Sequence, residues 1–112
     1  MTPSESFHCE VGKSNDKDEQ GNQVTTVKCH GRLVSDTAGE MKEAVRPLIT
    51  LGGRIVIDLS DVNYLDSSGL GMLVGLKASA IKQGYCMLEL ANMTPRVLEL
   101  LRITNLMKLF SS

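Results

Sequence analysis

The chain has no tryptophan and only two phenylalanines and two tyrosines in 112 residues, so any core must be assembled from aliphatic side chains. It also lacks a dominant sign of charge: 12 basic and 13 acidic residues leave a formal net charge of -1. That balance argues against a nucleic-acid-binding face, where a basic patch should dominate, and no direct nucleic-acid contact is expected. No apolar run approaches the length that crosses a bilayer. Met1 to Glu10 hold no apolar stretch of the secretory kind. Membrane insertion and export are therefore not expected, and a cytoplasmic location is. Cys9, Cys29 and Cys86 are odd in number and show no C-x-x-C spacing, so they read as reduced thiols of a cytosolic protein.

What is present is an ordinary globular balance, 42% apolar and 22% charged, in a length suited to one domain. Residues 1–6 are polar and expected to form a disordered N-terminal tail, with a single domain over residues 7–112. Phe7, Cys9 and Val11 alternate with polar neighbours, as do Thr25, Val27, Cys29 and Leu33 further on. Two half-buried strands joined by the polar segment Ser14 to Asn22 predict an N-terminal hairpin. Thr37-Ala38-Gly39-Glu40 has capping-box spacing, followed by Ala38, Met41, Val45 and Leu48 at helical intervals. Pro47 predicts a kink or an early end, and Gly52-Gly53 closes the helix.

Arg54 to Ser60 is apolar almost without a break, as in a central parallel strand covered on both faces. Asp61 to Leu65 reads as a connection. A second helix starts around Asp66 to Ser68, with Leu70, Leu73, Val74, Ala78 and Ile81 as its stripe and Gly84 as its cap. Tyr85 to Ala91 is a further strand. Thr94-Pro95 opens a third helix that buries Val97, Leu98 and Leu101, with a short apolar closing segment over Leu106 to Phe110. The alternation after the hairpin predicts an α/β fold with parallel strands and right-handed crossovers.

Several motifs fail on inspection. Gly69-Leu70-Gly71 begins like a dinucleotide fingerprint, but Gly75 comes one residue late, so close helix packing accounts better for these glycines. The acidic run from Asp16 to Gly21 starts like a calcium loop yet has Val27 where a bidentate Glu is required. Asn92-Met93-Thr94 reads as a turn and a cap. His8 and His30 fall on polar strand faces with no Cys or carboxylate at metal spacing in the chain, so no metal site is expected. No serine sits in a G-x-S-x-G elbow, and no catalytic set is recognisable. The chain is expected not to be an enzyme and to need no cofactor.

The cluster Asp66-Ser67-Ser68-Gly69-Leu70-Gly71 remains. Side-chain oxygens gather where a strand meets a helix N-terminus, whose free amides accept a capping oxygen or an added phosphate. Spacing alone leaves two readings open, a simple N-cap or a modification site, and caps are the commoner.

The run from Ile55 to Gly71, and above all Asp66-Ser67-Ser68-Gly69-Leu70-Gly71, resembles the STAS domain of anti-sigma-factor antagonists. The likeness extends through Gly31-Arg32-Leu33, Thr37-Ala38, Thr94-Pro95 and Asn105 to Phe110, over about residues 23 to 110. It implies a STAS fold: a mixed, mostly parallel sheet of four to five strands with an N-terminal hairpin and helices mainly on one face. It implies that an anti-sigma factor with serine-kinase activity is the partner, that Ser67 is the phosphoacceptor, and that a serine phosphatase restores the binding form. Asp58, Asp66, Ser68, Gly69 and Leu70 would form the environment of the switch, and ATP would belong to the partner. The same domain also occurs as an accessory subunit of membrane transport ATPases, where it acts as an unphosphorylated binding module. The sequence departs from the antagonist pattern at Val34, where relatives often carry an aspartate, and in its longer hairpin loop.

Overall fold

A computed structural model describes residues 7–110, without the side chains of residues 15 and 16. The expected tail over residues 1–6 lies outside the described residues, as does the side chain of Asp16 at the start of the calcium-like run. The chain forms β1 (Phe7–Lys17), β2 (Gln23–Leu33), α1 (Ala38–Leu51), β3 (Gly53–Leu65), α2 (Ser67–Gln83), β4 (Cys86–Ala91), α3 (Pro95–Ile103) and α4 (Met107–Phe110).

The strands make one four-stranded sheet in the order β1-β2-β3-β4. β1 is antiparallel to β2, and the other neighbours run parallel. Both crossovers, through α1 and through α2, step the same way across the sheet. Right-handed crossovers then put both helices on the same face. Alternation along β2 turns Val27, Cys29 and Leu33 toward that face, where they meet Ile55, Ile57 and Leu59 of β3, Leu88 of β4, Met41 and Val45 of α1, and Leu73 of α2. Each buried Leu or Ile contributes about 1.5–3 kcal/mol, so an aliphatic core suffices without tryptophan. α3 packs against β3, while α4 packs against α2 and β4.

The expected closures are found at several joints. Gly52 has φ 81° and Gly53 φ 90°, and a Cβ on Gly52 would stand 2.9 Å from the Tyr85 carbonyl oxygen. Gly84 caps α2 in the left-handed region at φ 84°. The Thr94 hydroxyl accepts from the Val97 amide at 3.4 Å ahead of Pro95, and Val97 and Leu101 are buried while Leu98 is exposed.

Other expectations need correction. β1 continues through the polar residues to Lys17, because pairing runs through the backbone and β2 supplies partners as far as Gln23. The loop shrinks to a turn closed by Asp18, whose carboxylate accepts from the Asn22 amide at 2.7 Å and the Gln20 amide at 3.0 Å. β3 likewise runs on to Leu65, since β2 pairs with it to Leu33 across two irregularities. Val56 is only half-buried, so β3 is closed over on its helix face and not fully on both. The Thr37–Glu40 capping box does not form. The Thr37 hydroxyl instead donates to the Arg32 carbonyl at 2.6 Å and accepts from the Val34 amide at 2.9 Å, pinning the end of β2. α1 runs through Pro47 to Leu51, because Pro47 and Glu43 lie on the exposed side, where the unbonded carbonyl faces water. Ile49, rather than Leu48, completes its buried stripe.

Candidate functional site

The site grows from the place where β3 hands over to α2. Leu65 is buried as the last residue of the strand, and Asp66 follows in extended conformation at φ -105° and ψ -175°. Its carboxylate accepts from the Gly69 amide at 2.9 Å, capping α2, and from the Ser35 amide at 3.4 Å. Its own amide donates to the Leu33 carbonyl at 3.3 Å. One residue thus fastens the helix N-terminus to the end of β2 and to the connection carrying Val34 and Ser35.

Gly69 lets the helix come this close. A Cβ there would stand 2.2 Å from the Leu33 carbonyl oxygen and 2.9 Å from Leu65 Cδ1. No side chain fits without moving backbone, which explains glycine here by approach and not by backbone angle. Leu70 enters the core one residue later. Gly69 and Leu70 therefore hold the turn from beneath and present no surface of their own.

Ser67 and Ser68 occupy the first two helical positions, and both are exposed. Among the described residues neither hydroxyl has a hydrogen-bond partner. Ser67, Gly71, Gly75 and Ser79 recur every four residues and are all exposed, forming one narrow stripe along α2. Ser68 lies about 100° further round the helix. Gly71, Gly75 and Ser79 of this stripe line a groove of about 410 Å³ between α1 and α2, together with Lys42, Arg46, Met72 and Leu76, and Ser67 stands one turn before that lining. A Cβ on Gly71 or Gly75 would meet nothing within 4 Å. Tight packing accounts for Gly69 and not for these two glycines, which keep the groove floor low.

Asp58 stands apart from this cluster. It pairs in register with Lys28 and Ala91, while the turn begins after Leu65, paired with Leu33. From Lys28 to Leu33 is about 16 Å of strand at roughly 3.3 Å per residue. Asp58 accepts from the Ser60 amide at 2.9 Å and from the Asn92 side chain at 3.2 Å. Partial burial opposes ionisation, but these hydrogen bonds prevail and hold its carboxyl below the ordinary value. The strand order expected for this acid is present, yet the length of β3 carries it out of the immediate surroundings of Ser67.

Two cations that no local pattern signals lie at the same end of the sheet. Arg32 and Arg96 each place a guanidinium carbon 5.1 Å from the centre of the Tyr64 ring. Arg96 reaches it from α3, a contact only tertiary structure creates. The expectation that His8 and His30 lack carboxylate neighbours is also overturned. Strand pairing brings Glu10 and Asp61 onto the two ring nitrogens of His30 at 2.6 and 2.5 Å.

Comparison with known proteins places this geometry in company. The family described as Mlab, STAS domain, matches residues 17–111. A STAS-domain containing protein of Pseudomonas aeruginosa is 34% identical over 88 residues, covering 79% of this chain and 86% of that one. The anti-sigma-B factor antagonist of Bacillus subtilis is 36% identical over 94 residues, covering 84% and 80% respectively. An anti-sigma factor antagonist from Mycobacterium paratuberculosis, solved by crystallography, shares the fold at a TM-score of 0.74 and 24% identity, over 99% of this chain and 88% of that one.

Proposed function

The chain belongs to the STAS-domain family, and on that premise we propose that it is an anti-sigma-factor antagonist controlled by phosphorylation of Ser67. In its unmodified form it binds an anti-sigma factor in the cytoplasm and frees the sigma factor. The anti-sigma factor, acting as a serine kinase, phosphorylates Ser67 and ends binding. A serine phosphatase reverses the modification. The observation that carries this reading is the position of Ser67: exposed, unpartnered, first in its helix, and at the head of the stripe that borders the α1–α2 groove.

The chemistry asked of this chain is small. The Ser67 hydroxyl oxygen bonds to the transferred phosphorus as the bond to the leaving diphosphate breaks, and its proton passes to a base. Asp66 already accepts from Gly69 and Ser35, so the chain offers the acceptor oxygen while base and nucleotide belong to the kinase. The product is stabilised where it forms, because helix N-terminal amides and the helix dipole favour an anion. No helix among the described residues is long and apolar enough to cross a membrane. The chain acts as a binding module and not as an enzyme.

The test is capture of the partner from the source cells on immobilised protein, identification by mass spectrometry, then incubation with ATP and phosphosite mapping. The expected result is an anti-sigma factor of kinase type and phosphate on Ser67. Recovery of a transport ATPase instead, or phosphate on Ser68 alone, overturns the reading.

A further inference from the structure

We propose that His8, Glu10 and His30 form a binding site for a divalent transition-metal ion of the zinc class, on the sheet face away from α1 and α2. The argument begins with register. His8 stands directly opposite His30 across the antiparallel β1–β2 pair. Glu10, two residues along, shares the face of His8, because the alternate residues Phe7 and Cys9 turn toward the core. Two donor-bearing side chains of β1 and one from β2, twenty or more residues away in sequence, are thus gathered on one patch of a two-stranded ribbon.

Their ligand atoms all lie within 4.8 Å of one another. Tetrahedral zinc with bonds of about 2.0–2.1 Å needs donors roughly 3.3 Å apart. His8 and Glu10 are exposed, so side-chain rotation that opens the 2.6 Å contact between Glu10 and His30 Nε2 brings the three donors to that spacing. Two imidazoles and one carboxylate form a nitrogen–oxygen set suited to zinc and its neighbours, and not to calcium or magnesium, which prefer oxygen. Three protein ligands leave a fourth position for water.

A second observation points the same way. The Nδ1 of His30 faces the Asp61 carboxylate at 2.5 Å, leaving Nε2 toward Glu10 at 2.6 Å. A carboxylate on the far nitrogen is how metal-bound imidazoles are commonly oriented, with the tautomer fixed and the donor nitrogen made more basic. The His8 ring is stacked on His30 with centroids 4.5 Å apart and planes 15° apart, so His8 is held beside its partner and turns out of the stack to bring its lone pair onto a shared ion. An ion held here ties edge strand β1 to β2 and, through Asp61, engages β3. Asp61 is a positioning residue and not a ligand.

The test uses untagged full-length protein, so that no affinity tag contributes imidazole. Zinc chloride is titrated calorimetrically, and cobalt(II) is followed by its visible absorption. The proposal expects one equivalent of saturable zinc binding, a rise in melting temperature reversed by chelator, and a tetrahedral cobalt spectrum without thiolate charge transfer. His8→Gln and Glu10→Gln remove exposed groups, and their circular dichroism without metal checks that they fold; each should weaken binding about tenfold or more. Asp61→Asn should weaken it by roughly 10–100-fold while retaining the one-to-one ratio. Cys9→Ser should bind as wild type does. Absence of saturable binding, equal affinity in folded His8→Gln, or loss of binding in Cys9→Ser overturns the site.

Discussion

A carbonyl oxygen of β2 and a helix of another crossover meet at Gly69, where the space left for a Cβ is 2.2 Å from the Leu33 oxygen. Because the obstacle is backbone at the end of a central strand, the helix must shift to admit even a methyl group. Gly69→Ala should lower stability by roughly 1–3 kcal/mol, and Gly69→Val by more. Denaturant unfolding measures this, and an unchanged midpoint for both would show that the turn has room to yield. Gly69 and a cap among Asp66, Ser67 and Ser68 were readable because their chemistry is local, and the structure assigns the cap to Asp66, three residues before the Gly69 amide. Thr37 has equally good local spacing, yet its hydroxyl serves Arg32 and Val34. Sequence spacing offers such a side chain two sets of partners, and the path of β2 decides between them. Asp58 and the pair Arg32 and Arg96 depend on strand length and on α3, which no nearby residue announces.

Among the elements, α2 shows most clearly what patterning can and cannot say. Its existence, its start and its cap were legible, but its buried face was not. The expected stripe included Val74, Ala78 and Ile81, whereas Leu76 and Ala80 are buried and Ile81 is 60% exposed. The helix is apolar on nearly every side, so composition selects no face and the sheet does. β1 and β3 outran expectation for a related reason, since a paired backbone tolerates polar side chains wherever a neighbour continues. The exposed glycines of α2 give this element its own prediction. Glycine inside a helix is about 0.8–1.0 kcal/mol less favourable than alanine, and nothing obstructs a methyl group on Gly75. Gly75→Ala should therefore raise stability by about 0.5–1 kcal/mol. It should also weaken partner binding, because the methyl group raises the floor of the groove that begins one turn beyond Ser67. A stabilised variant with undiminished affinity would remove the groove from the proposed interface.

For the molecule as a whole, the order of elements and the antiparallel edge follow from pattern, while the placement of helices on one face was implied by the family resemblance, and the fold bears out both. The proposed switch asks for more: one modification must change binding and leave that fold standing. The structure meets the second condition, because Ser67 is exposed and outside the core, and Asp66, Gly69 and Leu70 hold the turn without its hydroxyl. A phosphate adds about -1.5 to -2 charges at neutral pH, next to the Asp66 carboxylate and over the positive end of α2. A partner seated on this spot must either desolvate the phosphate or meet it with like charge. At an effective dielectric near 20, one like-charge contact at about 5 Å costs roughly 3 kcal/mol before screening, which is on the order of a hundredfold in affinity. Ser67→Asp should consequently keep the melting temperature within a few degrees of wild type and bind the captured anti-sigma factor at least tenfold more weakly. Ser67→Ala should bind as the unmodified chain does and stay bound when kinase and ATP are added. Ser68→Ala should still switch, since its hydroxyl points about 100° away from the stripe. Calorimetric affinities measured beside thermal unfolding separate the two conditions. Equal affinity for Ser67→Asp and wild type sinks the charge mechanism, and a large fall in melting temperature would mean that the residue serves the fold and not the switch.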